Sequence, residues 1–147
     1  MGADRHLKER RKEKERYVIY PISIKRSYAW KCLSFCARQA WFEIGMIYNG
    51  SNNGRLCVSS RRLAEELGGS HGHAARAIKE LINWGFLDLV KASSFGKKKM
   101  SAEYRLTHFK CDVTGRPPSY RYKTIEEKLK SLAVSETAIL SPASETT

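Results

Sequence analysis

Two consecutive glycines, Gly68 and Gly69, separate two short amphipathic stretches. No other feature of the chain constrains its fold as tightly. Before them, Ser60–Leu67 carries Leu63, Ala64 and Leu67 at helical spacing, with Ser59 or Ser60 as the N-cap. After them comes Ser70–Gly85, SHGHAARAIKELINWG. Here Ala74, Ile78 and Leu81 fall on one face, flanked by Ala77 and Ile82. A glycine pair permits positive φ and close approach of two helices. Ser70 can cap the second helix, and Gly85 suits the left-handed residue that follows a helix. The expectation is helix, tight turn, helix.

The flanks read as short strands. Arg55–Ser59 alternates, with Leu56 and Val58 facing one way. Phe86–Ala92 carries Phe86, Leu87, Leu89 and Val90, and Ala102–Thr107 puts Tyr104 and Leu106 on one face. Between these two runs lies SSFGKKKM, residues 93–100, a glycine turn with three lysines. Strand, helix, turn, helix, strand, loop, strand is the order of a winged helix. The expected class is α+β, mainly helical: a winged helix-turn-helix with a long first helix, a basic N-terminal arm and a flexible C-terminal tail.

With its apolar side in the core, the second helix leaves His71, Gly72, His73, Ala75, Arg76 and Lys79 outside. That set suits a helix lying in a duplex groove. Donors sit near its N-terminus, small residues let the backbone approach, and cations meet phosphate. Arg76 has the reach to pair bidentately with guanine, and His73 to donate to a base or phosphate. Ser60, Arg61 and Arg62 open the preceding helix. Cations there oppose the helix dipole, a placement that makes sense beside phosphate. Lys97, Lys98 and Lys99 suit a phosphate backbone, with Phe95 as an anchor or wedge. The DNA-contacting set is therefore expected to be Ser60, Arg61, Arg62, Ser70, His71, Gly72, His73, Arg76, Lys79, Lys97, Lys98 and Lys99.

Upstream, Met1–Arg16 has almost no apolar residue and reads as a disordered basic arm. Tyr17–Ile24, with Pro21 inside it, reads as an extended lead-in. Ser27–Tyr48 reads as one long helix capped by Ser27, with Trp30, Leu33, Ala37, Trp41, Ile44 and Tyr48 on one stripe. That stripe is core or a dimer seam. Asn49–Gly54, NGSNNG, is turn chemistry. Downstream, 108–122 is irregular around Gly115-Arg116-Pro117-Pro118, and Tyr120 and Tyr122 are expected to fold back over the core. Thr124–Leu132 is a short amphipathic helix, and a flexible tail follows from Ala133. The divisions are an arm over 1–16, a DNA-binding domain over 17–122, and a helix with tail over 123–147.

Charge points the same way. The chain carries 27 Lys and Arg against 15 Asp and Glu. That balance fits an anionic partner: nucleic acid, a membrane surface or a ribosome. Residues 55–110 hold eleven Lys and Arg against five Asp and Glu, whereas 111–147 balance at five each, so the excess lies on the expected reader and not on the tail. No apolar run approaches the roughly 20 residues of a membrane span, and the charged N-terminus lacks a signal sequence's apolar segment. The four cysteines, at 32, 36, 57 and 111, form no CxxC pair. They read as reduced, small apolar residues, Cys32 and Cys36 on one helix face, and not as metal ligands. No cofactor, metal site or catalytic constellation is expected, and the chain is not read as an enzyme.

The runs VSSRRLAEELG from Val58, Ser70 followed by AARAIxEL, and GFL from Gly85 resemble winged helix-turn-helix regulators of bacteria. YNGSNNG, SFGKKK, AEYRLT and CDVTGRPPSYRY narrow the resemblance to small winged-helix proteins of prophages and plasmids, over about residues 17–122. The resemblance implies double-stranded DNA binding at an operator or replication origin. The expected location, from the lack of an apolar span or signal segment, is the bacterial cytoplasm, on the nucleoid. One departure is the His71-Gly72-His73 start of the reading helix, where such regulators often carry Lys, Asn or Thr. The expected function is sequence-specific transcriptional regulation, with a homodimer formed through helix 27–48 or the C-terminal helix. The alternatives are an origin-binding replication accessory and a protein-interaction module of the antiactivator kind.

Overall fold

A computed structural model describes residues 15–140. In chain order these form α1 (Ile22–Arg26), α2 (Tyr28–Cys32), α3 (Phe35–Ile47), β1 (Leu56–Val58), α4 (Ser60–Leu67), α5 (His71–Asn83), β2 (Leu87–Lys91), β3 (Ala102–Leu106) and α6 (Arg121–Leu140). About half of the described residues are helical, and the class is α+β. The antiparallel sheet has the order β1-β3-β2, so β3 pairs on both edges. Leu56 lies opposite Tyr104, and Leu87 opposite Leu106. All four side chains are buried. This is the alternation expected of a sheet with one face on the core.

The core forms where α3 packs on α4 and α5 and the sheet closes beneath them. Trp41, Ile44, Leu63, Leu81, Phe86 and Leu106 meet there. Trp30 stands edge-on to both Trp41 and Phe86, at ring-centroid distances of 5.3 and 5.6 Å. That geometry opposes the electropositive edge of one ring to the electronegative face of the next.

Four expectations need correction. Ser27–Tyr48 is not one helix, because Leu33 and Ser34 are extended at ψ 141° and 159°. Ser34 caps α3 by accepting from Ala37 N–H, and its own N–H and hydroxyl donate to the Glu80 carboxylate on α5. The apolar stripe crosses the break undisturbed, so periodicity gives no sign of it. Cys32 and Cys36 consequently stand on different helices. Second, Tyr17–Ile24 is not extended throughout. The Pro21 carbonyl accepts from Ile24 and Lys25, which starts α1. Third, Trp30 and Trp41 are buried in the chain's own core, so no dimer seam is open along that stripe. Fourth, the C-terminal helix starts at Arg121, not Thr124, and runs past Ala133 to Leu140. The hydroxyls of Ser131 and Ser135 donate to carbonyls one turn back, which a helix tolerates.

The end of the N-terminal arm is tied down. Arg16 donates to the Met46 and Tyr48 carbonyls at the C-terminus of α3, where a cation also suits the helix dipole. Residues 1–14 of the expected arm, and 141–147 of the expected tail, lie outside the described residues. Cys57 is exposed and Cys111 buried, so only the latter behaves as a small core residue.

The NGSNNG turn does more than reverse the chain. Asn53 is fully buried, and its amide donates to the carbonyls of Leu106, Phe109 and Lys110. Its side-chain oxygen accepts from Leu106 N–H. One side chain thus satisfies the backbone where β3 ends and the chain turns. Removing it strands several buried groups, each of which costs free energy when unpaired. Asn53→Ala is expected to lose about 2–4 kcal/mol in urea denaturation. A loss below about 1 kcal/mol would mean that water replaces the amide at little cost.

His108 follows β3 and is buried against the rings of Trp41 and Phe109, at centroid distances of 5.2 and 4.0 Å. Neither ring nitrogen has a hydrogen-bond partner among the described residues. Burial penalises the imidazolium and lowers the pKa to about 4. The unfolded chain therefore takes up this proton near pH 6.5, and the folded chain only near pH 4. The corresponding stability is complete above about pH 6.5 and falls as pH drops, by about 3 kcal/mol in all. Between pH 7 and pH 5 the loss is about 2 kcal/mol, and His108→Phe is expected to remove it from the stability profile. An unchanged pH dependence in that variant would assign the acid sensitivity to other groups.

Candidate nucleic-acid interface

The α4–α5 pair is built by caps at each end. Ser59, not Ser60, is the N-cap of α4 and accepts from Arg62 N–H. Leu63 and Ala64 face inward, and Arg61 and Arg62 stand exposed. Gly68 ends α4 in the left-handed region, at φ 65° and ψ 24°, a conformation that glycine adopts without penalty. Gly69 N–H then donates to Ala64 O, which closes the turn.

Ser70 opens α5. Its hydroxyl oxygen accepts from His73 N–H, and the His73 ring accepts from Ser70 N–H through Nδ1. This is a capping box with histidine in place of the usual Glu or Gln. Nδ1 also lies 2.9 Å from Ser70 Oγ. With Nδ1 accepting, the neutral ring carries its proton on Nε2, which is the nitrogen left to donate outward. The pattern Ser-x-x-His holds this signal, whereas helical spacing assigns His73 only an outward role.

Ala74, Ala77, Ile78 and Leu81 bury one side of α5 against α3 and α4. Glu80 pins the helix to the start of α3 through Ser34. On the other side Ser70, His71, Gly72, His73, Ala75, Arg76 and Lys79 are all exposed. No part of the described chain covers them. Cys36 Sγ approaches the His73 carbonyl at 3.9 Å, while the His73 ring turns back to Ser70. Of the expected contact residues only Ser60 is half-buried.

The lysine loop closes a hairpin. β2 and β3 pair with a register shift between Leu89 and Lys91. Beyond it Ser94 and Met100 exchange two backbone hydrogen bonds, of 3.1 and 3.2 Å. Phe95, Gly96, Lys97, Lys98 and Lys99 form the tip and are exposed. Phe95 is 89% exposed and anchors nothing among the described residues. Lys91, exposed at the end of β2, adds a cation that the apolar pattern of this strand does not suggest.

The base of the site is held by Asp88 on β2. It pairs with Arg105 on β3 and with Arg121 at the start of α6. Arg121 also donates to the carbonyls of Ile82 and Leu87. The end of α5, the start of β2 and the start of α6 thus share one guanidinium. The expected site residues are accordingly distributed over three pieces, the opening of α4, the outward side of α5 and the hairpin tip, all on one small scaffold. Among the described residues no group of three or more His, Cys, Asp and Glu is placed to hold a metal ion, and no helix is long and apolar enough to cross a membrane. The sequence matches no protein-family model and no curated protein.

Proposed function

We propose that the chain is a sequence-specific double-stranded DNA-binding transcriptional regulator of the winged helix-turn-helix kind, related to the small proteins of prophages and plasmids. α5 lies in the major groove, and the hairpin tip with Lys97, Lys98 and Lys99 rests on the phosphate backbone. One observation carries this reading. α5 buries Ala74, Ala77, Ile78 and Leu81, yet leaves His71, Gly72, His73, Arg76 and Lys79 bare. The order β1, α4, α5, β2, β3, with β3 between the other strands, supports the winged reading. The net charge of +12 supports an anionic partner.

The roles divide by chemistry. Arg76 reads guanine, and Nε2–H of His73 donates to a base or phosphate near the capped end. Lys97, Lys98 and Lys99 position the protein and carry no sequence information. Arg61 and Arg62 meet phosphate at the start of α4.

Selection of bound fragments from a genomic DNA pool at physiological salt tests this. Enrichment of a discrete site, or of a two-fold repeat of one, is the expected result. Recovery of random fragments would remove sequence specificity. An origin-binding replication accessory uses the same contacts and differs in where its sites lie, in origin repeats and not promoters. For the antiactivator reading, the Trp30 and Trp41 stripe is enclosed in the core, which leaves it only the outer part of α6.

A further inference from the structure

We propose that α6 pairs antiparallel with α6 of a second copy of this chain, along Leu129, Leu132, Glu136 and Ile139. The first turns of α6 belong to the domain. Tyr122 is buried and stacks on Phe86 at 4.8 Å, and Glu126 accepts from Ala29 N–H at 2.7 Å. Beyond Glu126, residues 127–139 are all exposed among the described residues. A lone helical stretch of that length is marginal in water.

The helix nevertheless carries a pattern, which starts at half-buried Ile125 and continues along the exposed stretch. Ile125, Leu129, Leu132, position 136 and Ile139 follow steps of four, three, four and three residues. Those steps make the seam of a two-stranded coiled coil. Leu129, Leu132 and Ile139 are 39%, 61% and 81% exposed. Val134 lies off the stripe and plays no part. The single interruption, Glu136, selects the orientation. In a parallel pair, Glu136 would face Glu136 inside the seam. Lys128 borders the same stripe, four residues before Leu132, as Glu136 is four after it. An antiparallel pair crossing at Leu132 sets each Glu136 beside Lys128 of the second copy, and Ile139 beside Ile125. Opposite charges at such positions fix orientation, and like charges oppose it.

Arg121 to Leu132 spans about 16 Å of helix axis, so the pair holds the two α6 anchor points about 33 Å apart. That is about one turn of duplex, the usual spacing of half-sites. This consequence rests on the proposed DNA reading; the pairing itself does not, and it is measured without DNA.

Sedimentation equilibrium of the full chain, up to about 0.2 mM, is expected to show a monomer–dimer equilibrium. Leu132→Glu is expected to weaken it about 100-fold or more, with an unchanged melting temperature for the domain, because Leu132 touches nothing in its own core. Glu136→Lys is expected to weaken it about tenfold, and Lys128→Glu with Glu136→Lys to restore it within about threefold. A monomer throughout would overturn the proposal, as would a dimer indifferent to Leu132→Glu. Tighter pairing by Glu136→Lys alone, or no rescue by the double exchange, would overturn the antiparallel orientation.

Discussion

Gly85→Ala is expected to cost the domain about 3 kcal/mol or more and to lower its melting temperature by about 10 °C or more. Two independent effects add at this residue. Gly85 has a φ of 80°, where a side chain costs roughly 1–2 kcal/mol. A Cβ there would also stand 2.6 Å from Tyr122 N and 2.7 Å from Arg121 C. These neighbours are backbone at the start of α6 and cannot rotate away. α6 would have to lift, loosening Tyr122 from Phe86 and Arg121 from Asp88. Two other glycines separate the effects. Gly50 has a φ of 98° with nothing within 4 Å of its missing Cβ, so Gly50→Ala reports the backbone cost alone. Gly96 has neither feature, so Gly96→Ala is expected to change stability by less than about 0.5 kcal/mol. If Gly85→Ala costs no more than Gly50→Ala, α6 does not press on that turn as described.

Arg76→Ala is expected to lower affinity for the selected DNA site about 10- to 100-fold and to change affinity for random duplex much less. The difference arises because bidentate pairing with guanine forms only where guanine is correctly placed. Replacing Lys97, Lys98 and Lys99 by alanine is expected to act differently. It weakens all DNA alike and lowers the slope of log affinity against log salt by about 0.9 for each phosphate no longer neutralised. Both variants change exposed side chains, so the melting temperature is expected to hold. Gel-shift titrations on selected and random duplexes at two salt concentrations separate the outcomes. Equal weakening on both duplexes from both variants would remove the division into a reading residue and positioning residues.

Features decided by local chemistry were legible in the sequence. Ser70, Gly68 and Gly85 act within a turn of where they stand, so the bounds of α4 and α5 follow from their neighbours. The inward set Ala74, Ile78 and Leu81 follows from spacing alone. The break at Ser34 was not legible, because the carboxylate that grips it belongs to Glu80, on a later helix. Asn53 looked like one turn residue among several, since its partners Leu106, Phe109 and Lys110 are far along the chain. The Ser, Thr and Ala composition after Ala133 suggested a tail, yet its helix formers carry α6 onward. At the site, exposure of the outward residues followed from their periodicity. The turning-in of His73 Nδ1 did not, because histidine is an unusual third residue for a capping box.

The most direct test of DNA binding reverses the charge on the bare side of α5. The chain with Arg76→Glu and Lys79→Glu is titrated with the selected duplex, and its folding is checked by melting temperature. Binding is expected to fall more than about 100-fold while the melting temperature stays unchanged, because both side chains are exposed. Affinity kept within about threefold of the original would contradict the placement of this helix in the groove.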